Sequence, residues 1–116
     1  MARFTLLIRG GDEELRNFTP EQMQQTLQQY FVWSDKLRSA GRYLGGEQLA
    51  GGGRTVRMRS GQVAVDGPYA ETKESIGGYY LIEAANEDEA AAIAKGCPVL
   101  GHGGLVEVRA IVENQA

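Results

Sequence analysis

Apolar residues dominate Arg3-Phe4-Thr5-Leu6-Leu7-Ile8-Arg9, and Gly10-Gly11 ends the run, which predicts a first β-strand. The period then changes. Met23, Leu27, Tyr30, Phe31, Ser34 and Leu37 recur at three- and four-residue spacing, the pattern of one buried helical stripe, with Gln24, Gln25, Gln28, Gln29, Asp35 and Lys36 on the solvent side. Thr19 is placed to cap this helix, Pro20 to occupy its first position and Gln22 to complete a capping box, with Phe18 and Met23 as a hydrophobic staple. Gly41 is the expected stop. A short strand or turn-out over Arg42–Leu49 follows. Arg54–Arg59 and Gln62–Val65, separated by Ser60-Gly61, read as a hairpin, and Gly78–Ala84 as the strongest strand. Asn86 caps a second helix whose first turn holds Glu87, Asp88 and Glu89, with Gly96 and Pro98 ending it. Leu105–Val112 is the last strand.

The order strand, helix, strand, hairpin, strand, helix, strand is that of an α+β, ferredoxin-like split βαβ fold, an antiparallel sheet with both helices on one face. Gly78, Tyr80, Ile82 and Ala84 share one face of their strand, opposite Tyr79, Leu81 and Glu83. On the last strand Val106, Val108, Ala110 and Val112 oppose Leu105, Glu107, Arg109 and Ile111. Both faces are partly apolar, so the helix-free face calls for a cover, and pairing with a second copy as a C2 homodimer is the simplest one.

A length of 116 residues fits one domain, and a net charge of −3 argues against general affinity for nucleic acid or an anionic membrane. The single cysteine, Cys97, excludes an internal disulfide, and with only His102 beside it no zinc site can be assembled. No metal or cofactor is therefore expected. No signal peptide or membrane span is read in the chain, and a cytoplasmic location is expected.

Between the hairpin and the strongest strand lies the chain's densest chemistry. The block Asp66-Gly67-Pro68-Tyr69-Ala70-Glu71-Thr72-Lys73-Glu74 begins with turn residues, crowds four ionisable groups, and leads through Gly77-Gly78 into Tyr79-Tyr80. With the Asn86–Ala90 helix start, Cys97-Pro98 and Glu107-Val108-Arg109, this block resembles the YCII-related or DGPF-domain family over nearly the whole chain. The resemblance implies a dimeric α+β barrel in which two ferredoxin-like sheets face each other. Muconolactone isomerases and small cofactor-free monooxygenases share that fold, which does not decide function. Tyr69 stands in place of the usual Phe, adding a hydroxyl, and Ala110 replaces a frequent Pro. One branch of the family carries a His on the first helix and an Asp just before a late Pro. Here that helix has no His and Cys97 precedes Pro98, so this dyad does not carry over.

Each candidate group has a functional and a structural reading. Asp66 is either a general base or the carboxylate of an Asx-turn. His102, the only imidazole, suits proton transfer near neutral pH or is simply a solvated loop residue; folded over the Asp66 turn it would form an Asp–His pair. Glu71 is the better candidate for a buried binding role, while Lys73 and Glu74 read as an exposed ion cluster. Of Tyr79 and Tyr80, one packs under the helices and the other faces the dimer interior, where its hydroxyl meets a substrate oxygen. Arg9 and Arg109 form either a carboxylate clamp or cross-strand pairs with Glu107 or Glu83. Trp33, off the helical stripe, is expected at an interface or a pocket wall, and Cys97 as a small packing residue. Two functions fit. One is a cofactor-free isomerase, lyase or monooxygenase acting on an organic acid or enolisable ring. The other is a non-catalytic homodimer binding a small molecule or a protein; the resemblance implies a sigma factor as that protein partner, since relatives are often encoded beside one.

Overall fold

The computed structural model describes residues 1–67 and 76–113. Its elements run β1 (Ala2–Gly10), α1 (Asp12–Arg16), α2 (Pro20–Ser39), β2 (Tyr43–Gln48), β3 (Thr55–Arg59), β4 (Gln62–Asp66), β5 (Ile76–Ala84), α3 (Glu87–Ala94), a 3-10 helix over Pro98–His102, and β6 (Gly104–Ala110). The helix starts follow from local hydrogen bonding. Thr19 Oγ1 accepts the Gln22 amide at 3.1 Å and Gln22 Oε1 accepts the Thr19 amide at 2.8 Å, closing the capping box of α2. Asn86 Oδ1 accepts the Glu89 amide at 2.9 Å at the head of α3. Gly41, with φ +72°, supplies the left-handed residue just past α2.

Four strands form one sheet in the order β2-β5-β1-β6, with β1 antiparallel to both of its neighbours and β2 antiparallel to β5. This is the α+β, ferredoxin-like arrangement. The β3–β4 hairpin is a separate two-stranded ribbon inserted between β2 and β5. Its tip, Ser60-Gly61, has positive φ at both residues (49° and 79°), as a two-residue turn matched to strand twist requires.

One face of the sheet carries the core. Phe4, Leu6 and Ile8 of β1 and Ile82 and Ala84 of β5 pack with Trp33 and Leu37 of α2, Ala90 and Ala94 of α3, and Cys97 and Val99 behind them. Tyr80, Val106 and Val108 lie against this cluster.

The stripe on α2 differs from the sequence pattern. Met23, Leu27 and Phe31 are exposed (38, 45 and 65%), while Thr26 and Trp33 are buried beside Ser34 and Leu37. Tyr30, Ser34 and Leu37 satisfy either register, since successive residues are about 100° apart around the axis. Trp33 decides between them. Its ring carries more apolar area than any of the three exposed residues, and it stacks on Tyr80 with centroids 4.6 Å apart. The indole is thus a core residue. The segment before β6 also differs: it is a 3-10 helix that buries His102 to 5% exposure, where an open loop was expected.

Candidate functional site

The helix-free face of the sheet brings together Tyr79, Arg9, Arg109 and Glu107 from the polar groups singled out in the sequence. Glu47, Tyr79, Leu7 and Glu107 stand side by side across β2, β5, β1 and β6, and Gly45, Leu81, Thr5 and Arg109 form the adjacent row. Arg9, opposite Leu105, completes the patch. Neighbouring strands lie about 4.8 Å apart, so the Tyr79 and Glu107 stations are separated by about 10 Å with Leu7 between them. Tyr79 is therefore the tyrosine on this face, and Tyr80 the one under the helices.

Glu107 holds both arginines. Arg9 Nε lies 3.2 Å from one carboxylate oxygen, and Arg109 Nη1 donates to the other at 3.1 Å. Arg9 makes the cross-strand pair that the sequence offered beside a clamp, whereas Arg109 pairs with Glu107 along its own strand, β6. Arg9 is only 26% exposed, and its buried Nε–H reaches Glu107 without hydrogen-bond geometry, which leaves a donor poorly satisfied among the described residues. A buried donor in that state favours an acceptor oxygen placed beside it.

Asp66 sits elsewhere, at the end of β4. One of its carboxylate oxygens lies 2.9 Å from both Arg57 Nε and Arg59 Nη2. The hairpin face that carries Arg57, Arg59 and Asp66 brings these three together because alternate residues of β3 and the end of β4 share one side. Glu71, Lys73 and Glu74, with the turn from Pro68 onward, lie outside the described residues.

His102 is in neither place. It ends the 3-10 helix, with the Phe18 ring edge-on at 5.7 Å, and neither ring nitrogen has a hydrogen-bond partner among the described residues. The Asp66–His102 pair is accordingly not formed. Gly11, with φ +78°, passes so close that a Cβ there would lie 2.9 Å from His102 Nδ1. The imidazole borders a polar cleft of about 240 Å³ lined also by Phe18, Gln22, Gln25, Thr26 and Gln29. Sequence patterning missed this cleft because Gln25 and Gln29 read as solvent-side residues and Thr26 was assigned no role. The only signal was an uncharged, hydrogen-bonding helix surface facing a glycine-rich segment.

Under the sheet's other face, Tyr80 donates or accepts a 2.5 Å hydrogen bond with Ser34 Oγ. Tyr30 Oη lies 3.9 Å from Cys97 Sγ. Burial pushes the phenols of Tyr30 and Tyr80 and the thiol of Cys97 above their ordinary values. Cys97 is thus a protonated packing residue at neutral pH rather than an activated nucleophile. Among the described residues no group of three or more His, Cys, Asp or Glu side chains is arranged to hold a metal ion. Nor is any described helix long and apolar enough to cross a membrane.

An antiparallel ferredoxin-like sheet with a polar, two-arginine centre on its helix-free face defines a small α+β protein of the kind the sequence suggested. The chain belongs to the YCII-related domain family, which it matches over residues 2–115. It is also similar to "Uncharacterized protein R00369" of Rhizobium meliloti (strain 1021), 48% identical over 42 residues. That similarity covers 35% of this chain and 34% of the relative's length.

Proposed function

We propose that the protein is a homodimeric small-molecule-binding protein in which two copies close over their helix-free faces and hold an organic oxyanion, a carboxylate or an enolate, between them. The observation that carries this reading is the buried, poorly satisfied Arg9 Nε–H beside Glu107 and Arg109. Tyr79 supplies a wall and a second hydrogen-bond donor one strand away. Leu7 and Leu81, half-buried on the same face, supply the apolar contact that a second sheet would complete. Binding is favoured over catalysis because the two proton-handling candidates are not assembled. Asp66 is held by two arginines on the ribbon, and His102 is enclosed in the 3-10 turn.

Light scattering combined with calorimetric titration tests the reading. The expected mass is about twice the 12.6 kDa of one chain. Binding of small carboxylates is expected to be lost in Arg9→Met with the unfolding temperature retained. A monomeric protein, or an Arg9→Met variant that binds carboxylates as the parent does, overturns it. Turnover of an enolisable acid that disappears in His102→Ala would replace it with the enzyme reading.

A further inference from the structure

His102 is the chain's one histidine, and the 3-10 helix carries it to 5% exposure with neither ring nitrogen hydrogen-bonded among the described residues. A buried imidazole in that state costs free energy unless a group at its border completes it. Gly11 covers Nδ1 and takes no part in the cleft wall, whereas the imidazole does, which leaves Nε2 for the cleft side. The cleft has a floor and a rim. Thr26, 8% exposed, lies with His102 at the floor, and Gln22, Gln25 and Gln29 are exposed along the rim. Steps of three, four and seven residues from Gln22 put all four on one side of α2.

Two of these groups are already partly used. Thr26 Oγ1 donates to the Gln22 carbonyl at 3.0 Å, so towards the cleft it offers a lone pair. Gln22 Oε1 accepts the Thr19 amide at 2.8 Å, so its NH2 group is the end left to donate. Gln25 and Gln29 each add a donor and an acceptor on one planar amide. Among the described residues no charged side chain lines the cleft, so an ion bound there would be unpaired.

We propose that this cleft binds an uncharged one-ring molecule with an amide or ureide edge, hydrogen-bonded to His102 Nε2 and Thr26 at the floor and to the glutamines at the rim. The occupant must bring an N–H for Thr26 and an acceptor for Gln22, and a cyclic amide carries the two side by side. Phe18 and Pro98 give a flat ring its apolar walls. The volume of about 240 Å³ falls below the range of about 300 Å³ and upward for drug-sized ligands, which limits the occupant to a single ring. The cleft lies between α2 and the 3-10 helix rather than on the helix-free sheet face, so it does not depend on the dimer proposed above.

NMR titration at neutral pH reads the cleft directly, because one imidazole gives one set of ring signals. Hydantoin, a neutral cyclic ureide, is expected to shift those signals and the Thr26 amide saturably, while acetate and glucose at the same concentrations leave them in place. Gln25→Ala/Gln29→Ala changes only exposed side chains and should weaken hydantoin binding about tenfold, or about 1.4 kcal/mol, with the unfolding temperature kept. His102→Leu, followed at the Thr26 amide, should abolish the saturable shift. The site is overturned if hydantoin moves neither signal, in which case ordered water serves the imidazole. It is equally overturned if either variant binds hydantoin as the parent does. A ring that answers glucose or acetate as strongly as hydantoin overturns the amide-edge assignment.

Discussion

Tyr80 ties the sheet to the long helix twice, stacking its ring on Trp33 at 4.6 Å and bonding its hydroxyl to Ser34 at 2.5 Å. The two helical partners are adjacent in sequence, so one β5 side chain fixes both the height and the rotation of α2. Tyr43 adds an edge-on ring to Tyr80 at 5.5 Å. These contacts explain why the helix turns Trp33 inward and lets Met23, Leu27 and Phe31 face out.

Removing only the hydroxyl should separate the two contacts. Tyr80→Phe keeps the stack but leaves the buried Ser34 hydroxyl without this partner, and should destabilise the fold by about 1 kcal/mol in urea unfolding. Trp33→Ala should cost about 3–5 kcal/mol, the range for emptying a large aromatic site. Equal, small losses for both would show that the indole is not a core group.

The architecture was legible in the sequence because its signals were local. The capping box at Thr19 and Gln22, the Asn86 cap, the Ser60-Gly61 turn and the alternation of Val106 and Val108 are each written within a few residues. The rotation of α2 was not legible, since the choice between the Phe31 and Trp33 registers depends on Tyr80, 47 residues beyond Trp33 in sequence. The Arg9–Glu107–Arg109 cluster was half legible. Alternation placed Glu107 and Arg109 on one face of the last strand, but whether Arg9 joined them, and which acidic residue the arginines would choose, depended on strand register. His102 was unreadable in the same way: its burial comes from Gly11 and Phe18, nearly the whole chain away.

Alkaline pH should weaken the fold. In the folded chain burial raises the Cys97 thiol above its ordinary 9.0 and the Tyr80 phenol above 10.0, with Tyr30 raised as well. In the unfolded chain these groups lose their protons first, so the folded state binds more protons as pH rises. Stability is therefore complete below about pH 9 and falls as pH climbs through the thiol and then the phenol range. Urea unfolding at pH 8, 9.5 and 10.5 checks this, and Cys97→Ala should remove the earliest part of the decline. A flat profile would show that the three groups are not desolvated.

His102 offers a test of a buried polar group. Its two ring nitrogens are buried without hydrogen-bond partners among the described residues, so their desolvation is uncompensated there. His102→Leu should leave stability unchanged or raise it by about 1 kcal/mol, measured by thermal unfolding near neutral pH. A loss of about 1–3 kcal/mol would mean that the imidazole is hydrogen-bonded in solution through water in the adjoining cleft.

Glu107 is the residue on which the binding proposal turns, because it occupies the position that a ligand carboxylate would take. Its oxygens hold Arg9 and Arg109 at 3.2 and 3.1 Å, and at 36% side-chain exposure this pairing contributes little to folding. Glu107→Gln keeps the size and removes the charge. The unfolding free energy should move by no more than about 1 kcal/mol. Freed from the internal carboxylate, the two guanidinium groups should bind an external one more tightly, by about tenfold, which corresponds to about 1.4 kcal/mol. Titration of small carboxylates into the parent and the variant reads this directly, and the gain should vanish when Arg9→Met is added. If Glu107→Gln weakens binding instead, Glu107 positions the arginines for the ligand rather than competing with it. Competition at Arg9 would then be wrong even though the face still binds.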